Sequence, residues 1–197
     1  MTITEPAVGT PAPIPPSAPR EVSPERLAHI VLGIAADEDR WRSRVRHDLR
    51  GRRFERLVCA GVPGAASNDA PDDAVGAAAD AMDDYEVWLI CWDVGQMTLL
   101  HDHGPSSGAF VVVEGVLLED HGRAGSGRLA QRRVPRGRAR SFGPSYVHNL
   151  ANAGPRLATS IHAYSPRLTT MTYYAVLPGG AVPVRSLPVD APEPPAP

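Results

Sequence analysis

The residues whose types and spacing could do chemistry lie in the second half of the chain. In "GQMTLLHDHGPSSGAFVVVEG", Gly95 to Gly115, His101 and His103 stand one residue apart between two β-type runs. On an extended strand positions i and i+2 share a face, so both imidazoles point one way and Asp102 the other. Two such imidazoles can reach one metal ion, although an isolated pair equally suits polar residues on a half-exposed strand. "FGPSYVHNLANAG" adds His148 after a Gly-Pro turn, and "RLATSIHAYSPR" adds His162. In the last stretch Ser160, His162 and Tyr164 fall on one face of one strand and can form a chain of hydrogen bonds ending in a phenol.

The elements that must position these residues read as one domain. The chain has 197 residues, 43% of them hydrophobic, which suffices for one core and is short for two. Residues 1–22 are rich in Pro and Ala and are expected to be disordered, as is the Pro-rich end, 183–197; the folded body is 23–182. Ser23 as N-cap, Pro24 at the first helical position and Leu27, Ile30, Val31 and Ile34 at helical spacing predict an amphipathic helix. A second helical segment is expected around Glu38 to Arg46. Residues 62–84, rich in Ala, Gly and Asp without an apolar stripe, read as a surface insertion. From Tyr85 onward short β-type runs such as "YEVWLICWDV", "AFVVVEGVLLED" and "TTMTYYAVL" follow one another at close intervals. The expected class is mainly β, a small antiparallel barrel or sandwich with the N-terminal helices packed at one side.

Composition excludes several roles. The formal net charge is −2, and all 20 basic residues are arginine. The seven arginines between Arg123 and Arg140 lack interleaved aromatics and any nucleic-acid motif, so no nucleic-acid partner is expected. No signal peptide or membrane-spanning run is evident, and no membrane partner is expected. Cys59 and Cys91 are read as free thiols of a cytoplasmic protein. Two cysteines cannot complete a metal site, so a transition metal must be held mainly by His and carboxylate. His29, in the first helix, His47, in an Arg-rich helical end, and His121, at a turn, are expected to face solvent.

The spacing also carries a resemblance. Gly95, five residues, His101, one residue, His103 and later Gly115 match the first motif of the cupin superfamily; Gly143 through His148 to Asn152 matches the second. From about Arg52 to Tyr174 the chain resembles the cysteine dioxygenase group of thiol dioxygenases, small cupins with helices before the barrel. "CWDVGQMTLLHDHG" looks like their first metal strand. "SIHAYSP" looks like their Ser-His-Tyr signature beside the iron. The resemblance implies a neutral site of His101, His103 and His148 for Fe(2+), with Gly108 where the cupin pattern usually has a glutamate ligand. Gly108 is also the position matching the cysteine that some members link to the tyrosine, so the resemblance implies a site without that crosslink, as in many bacterial relatives.

The implied reaction is oxygenation of a small thiol, first of all L-cysteine, to its sulfinic acid with both atoms of O2. Ser160, His162 and Tyr164 would be the catalytic hydrogen-bonding group. The family holds the substrate carboxylate with an arginine, for which "RGRRFERLVCAG" offers Arg56, preceded by Phe54 where relatives often have tyrosine. Arg53 and Arg167 remain open as alternatives. Open too are another thiol such as 3-mercaptopropionate and a non-catalytic cupin that binds a metal or small molecule. The protein is expected to be a monomer or small homo-oligomer.

Overall fold

A computed structural model describes residues 20–60 and 83–194. The expected tail over 1–19, the chain end 195–197 and all of the insertion except Asp83 and Asp84 lie outside the described residues. The strands, in chain order, are β1 Arg20–Glu21, β2 Arg53–Cys59, β3 Asp83–Asp84, β4 Glu86–Trp92, β5 His101–Asp102, β6 Ser107–Glu114 and β7 Val116–Arg123. They continue with β8 Ala130–Pro135, β9 Ala139–Phe142, β10 Tyr146–Ala151, β11 Ala158–Ser165, β12 Thr170–Leu177 and β13 Gly180–Pro188. One antiparallel sheet has the order β2-β4-β11-β6-β9 and the other β13-β12-β5-β10-β7-β8. β1 and β3 form a small parallel pair, which brings Arg20 and Glu21 into the folded body that composition started at residue 23. Among the described residues no helix is long and apolar enough to cross a membrane.

The helix α1, Pro24–Ala36, forms as its sequence predicts, with the Ser23 side chain accepting from the Arg26 amide. Leu27, Val31 and Ile34 are buried, and His29 is exposed. The helix covers one face of the five-stranded sheet, packing Leu27, Val31 and Ile34 with Val87, Leu89, Val111 and Ile161. The alternate residues of the same strands, Ile90, Trp92, Phe110 and Val112, face the other way and meet Leu117, Val134 and Leu150 of the opposing sheet. β4, β6 and β11 are therefore buried on both faces. That explains why "YEVWLICW" and "AFVVV" read as nearly continuous apolar runs.

Two expectations change. The segment expected as a second helix forms two short 3-10 turns, Glu38–Arg40 and Arg42–Arg44, around Trp41. Trp41 is the segment's one buried large residue, and its indole donates to the Ala35 carbonyl. With no apolar stripe to bury, nothing favours a longer helix there. The C-terminal end is ordered through residue 194, because β13 pairs along β12 at the edge of its sheet. Prolines 183 and 188 fit at an edge, where a missing amide costs no ladder bond, and a bulge between Tyr173 and Tyr174 absorbs the irregularity. Proline content was a poor guide to order there, since it separates edge from central strands and not strand from coil.

Candidate metal centre

His101 sits on β5, which lies between β10 and β12, and its cross-strand partner on β10 is His148. His103 follows directly after β5 and is succeeded by Gly104 at φ +60, a conformation that lets the chain turn away at once. The three rings stand 4.8, 5.0 and 5.2 Å apart between centroids, and one ligand atom from each lies within 4.8 Å of the others. All three are at most 4% exposed.

The protons of this cluster are set by its partners. His101 Nδ1 is 2.7 Å from the Leu99 carbonyl, which only accepts, so Nδ1 carries the hydrogen and Nε2 keeps its lone pair. His148 Nδ1 is 3.0 Å from a Glu119 carboxylate oxygen, which also only accepts, so Nδ1 carries the hydrogen there too. Both ring nitrogens of His103 are buried without a protein partner. Burial, and then the neighbouring His148, hold His101 down to about 3, and burial with the other histidines holds His103 well below its ordinary range. Three buried imidazoles with ligand atoms turned toward one another fit a divalent transition ion.

Glu119 carries no exposed side-chain surface and was missed by sequence reasoning. Its carboxylate accepts from His148, from the Tyr146 hydroxyl at 2.8 Å and from Arg132 Nε at 2.7 Å. Burial alone would raise its pKa; the bond from His148 and those from Arg132 and Tyr146 overcome it and hold the group at about 2. A carboxylate thus touches the histidine set from outside, orienting His148 and making it a better donor. The signal was present in β7, where Glu119 shares the inward phase with Leu117. His121, read as a turn residue, lies half-buried in the same strand and stacks on Tyr146 at 5.9 Å.

Gly108 stands opposite Tyr164 in register, and a Cβ built there would lie 2.4 Å from the Phe142 ring. Phe142 fills that space and stacks on His103 at 5.3 Å between centroids. Cys91 is buried in the cluster beneath α1, on the face of β4 opposite Ile90 and Trp92.

Ser160, His162 and Tyr164 are joined as their spacing suggested. Ser160 Oγ is 2.8 Å from His162 Nε2, and His162 Nδ1 is 3.3 Å from the Tyr164 hydroxyl. The direction of the chain follows from Trp92, whose indole N–H can only donate and does so to Ser160 Oγ at 2.9 Å. Ser160 is fully buried, so its own hydrogen is best spent on His162 Nε2. Nδ1–H then donates to the Tyr164 oxygen, which leaves the phenol proton free for a partner in the cavity. Burial holds His162 neutral, with a pKa of about 3, and raises that of Tyr164.

His101, His103, His148, His162 and Tyr164 line one cavity of about 400 Å³, within the range that encloses small molecules. Its other walls include Phe54, Trp88, Ile90, Leu168 and Met171. The arginine in this lining is Arg52, which is none of the three weighed from the sequence. Its guanidinium lies over Phe54 and Trp92, 5.7 and 5.6 Å from their ring centroids. It donates to the Met97 carbonyl and pairs with Glu193. Arg56 shares the face of Phe54 but is exposed, one step farther along β2, over the Trp88 ring at 5.6 Å. Arg53 is opposite Cys91 in register and so on the other face, and Arg167 donates to Asp84 at 2.6 Å and contacts Cys59. Pairing of β2 with β4 decides which arginine faces inward, and that register is invisible in "RRFER".

Two outcomes follow. Glu119→Gln keeps the shape but removes the charge, and chelator competition should show a 10- to 100-fold loss of divalent-metal affinity, about what such an outer partner contributes; His29→Ala should show none. The depressed histidines bind protons more readily unfolded than folded. Stability contributed by their neutrality is therefore fully present above about pH 6.5 and is lost as pH falls toward 3. Melting of the metal-free protein should drop steeply over that window, by up to about 1.4 kcal/mol per pH unit for each histidine. A flat profile between pH 7 and 5 would contradict the assignment.

Comparison with known proteins places the chain. No curated protein matches it. Among solved structures it is similar to an oxalate oxidase (22% identity, 41% of each chain, TM-score 0.38), to KdgF from Halomonas sp. (16%, 61% of this chain and 84% of that one, TM-score 0.43) and to a sugar phosphate isomerase of a cupin superfamily from Silicibacter pomeroyi (21%, 54% and 71%, TM-score 0.41). The chain thus spans about two fifths of the oxalate oxidase. The profile of "Cysteine dioxygenase type I" matches residues 78–176, just over half of the chain, and includes all three clustered histidines and the Ser-His-Tyr strand. With two antiparallel sheets enclosing this site, the protein is a cupin and belongs to the cysteine dioxygenase type I family.

Proposed function

We propose that the protein is an iron(II)-dependent dioxygenase of a small carboxylated thiol, L-cysteine being the first candidate and 3-mercaptopropionate the second. The observation that carries this reading is the convergence on one cavity of three clustered histidines, an oriented phenol and a guanidinium. The reaction balances without a further reductant: R–SH and O2 give R–SO2H, four electrons passing from sulfur to oxygen and both oxygen atoms remaining on sulfur. Ferrous iron at His101, His103 and His148 would supply the redox chemistry with dioxygen and favour the thiolate form of the substrate.

The rest falls to the chain's own groups. Arg52 pairs with the substrate carboxylate through its planar fork, a role the sequence had offered to Arg56. Tyr164 donates its free proton to the reacting sulfur or oxygen, its orientation fixed by the relay from Trp92 through Ser160 and His162. Phe54, beside Arg52, limits the guanidinium's freedom, and Trp88, Ile90 and Met171 keep water from the reacting atoms.

Oxygen uptake by the ferrous protein across L-cysteine, 3-mercaptopropionate and cysteamine, with sulfinate measured as product, tests the reading. Uptake should match sulfinate formed, and a protein that binds zinc tightly yet consumes no oxygen with any thiol would instead be a binding cupin. Arg52→Gln should raise the apparent KM of a carboxylated thiol at least tens-fold, as loss of about 2 to 5 kcal/mol implies, without weakening cysteamine. Arg56→Gln should move neither, and discrimination at Arg56 in place of Arg52 would return the anchor to it. Tyr164→Phe should retain metal while turnover falls about 10- to 1,000-fold.

A further inference from the structure

Glu119 is shared between a cation of the chain and the histidine cluster. It stands opposite Arg132 in the register of β7 with β8, the outermost strand of its sheet, so the two side chains project from one face. Arg132 holds both carboxylate oxygens. Its Nε donates to Oε2 at 2.7 Å, and a terminal nitrogen donates at 2.9 Å to the Tyr146 hydroxyl, which donates in turn to Oε1 at 2.8 Å. Oε1 is also the atom that accepts from His148 Nδ1. The carboxylate is fully buried, whereas the Arg132 side chain is 30% exposed and reaches it from the solvent side.

A buried carboxylate that loses its partner is strongly destabilising. Among the described residues Arg132 is the permanently charged cation that contacts Glu119, so before an ion binds it keeps the carboxylate, and through it His148, in place. An ion held by the three histidines brings a second positive charge to the other side of the same group. Two cations drawn to one carboxylate weaken each other's hold, and the weakening is reciprocal. Loss of Arg132 therefore has opposite consequences for two properties: the metal-free protein becomes less stable, and the ion is bound more tightly. A side chain that merely shaped the site would weaken both.

We infer that Arg132 is a positioning residue acting through Glu119, a resident cation that holds the carboxylate and His148 in the metal-binding geometry before an ion arrives and lowers the affinity with which the ion is then kept. The inference rests on the metal-centre part of the reading above and adds how that centre is loaded and released. Tyr146 carries half of this hold through its hydroxyl, while its ring stacks on Phe142 at 4.8 Å and Phe142 stacks on His103. Hydroxyl and ring can thus be separated by substitution.

The test measures Zn(II) affinity of the full chain by chelator competition at one neutral pH, beside melting of the metal-free protein. Arg132→Gln should tighten Zn(II) about three- to tenfold, a part of what the outer carboxylate itself contributes, while lowering the metal-free melting temperature by about 4 °C or more. Arg132→Lys, which restores the charge, should return both values most of the way. In a Glu119→Gln background the same Arg132→Gln change should leave affinity within twofold, because the shared group is gone. Arg133→Gln, an equal loss of charge at the exposed neighbouring position, should also stay within twofold. Zn(II) affinity unchanged or weakened in Arg132→Gln overturns the inference. Should that variant fail to fold without metal, Tyr146→Phe decides: it keeps the stack, should tighten Zn(II) about twofold or more, and overturns the inference if it does not. The competition needs neither iron nor thiol, so an iron-loaded protein that forms no sulfinate strikes the dioxygenase reading alone, and an unchanged Zn(II) affinity strikes the resident cation alone.

Discussion

The register that sets His148 opposite His101 is the constraint on which the rest of this molecule depends. β5 contributes only two residues, yet it is held between β10 and β12, and that double pairing converts two histidines nearly fifty positions apart into neighbours. A slip of one residue would turn one ring to the opposite face of the sheet, because side chains alternate. The register of β10 is tied in turn to β7, where the same alternation sends Glu119 inward to meet His148. Metal-binding geometry and outer carboxylate are thus consequences of one ladder of backbone hydrogen bonds.

Burial is the second determinant, and it acts on charge before it acts on shape. Taking His101 and His103 out of water lowers their tendency to protonate, which leaves lone pairs available near neutral pH. The same dry surroundings make every remaining polar atom expensive to leave alone. Ser160, His162 and Trp92 therefore satisfy one another in a fixed order, and the one proton left over belongs to Tyr164, at the cavity. Glu119 keeps its charge in this interior because three donors converge on it. Phe142 fills the space beside Gly108, while Glu119 places one negative charge against the three-histidine cluster from behind.

The five-stranded sheet separates two tasks. Its outer face, beneath α1, is hydrocarbon and carries stability, with Leu27, Val31 and Trp41 closing it. Its inner face carries the Ser-His-Tyr strand, Trp92 and, through β2, Arg52. Because β4, β6 and β11 are covered on both sides, alternate residues along one strand serve different purposes, which is why Cys91 and Trp92 are neighbours in sequence yet belong to different clusters.

Much of this was legible in the chain itself. The helix at Pro24–Ala36 was set by a cap, a proline and a repeating stripe, all local features, and the shared face of Ser160, His162 and Tyr164 follows from strand periodicity alone. The His-x-His pair and its distant third histidine were likewise readable as a pattern. Pairing between strands was not. Which of Arg52, Arg53 and Arg56 looks inward depends on how β2 sits against β4, and Glu119 could be recognised only once β7 lay beside β10. Glu193 reaches the cavity because a proline-bearing strand found an open sheet edge. Periodicity is a property of neighbouring residues along one backbone, so the sequence determined faces; contacts across strands are fixed by hydrogen-bond register among segments far apart in the chain, and only the folded structure could decide them.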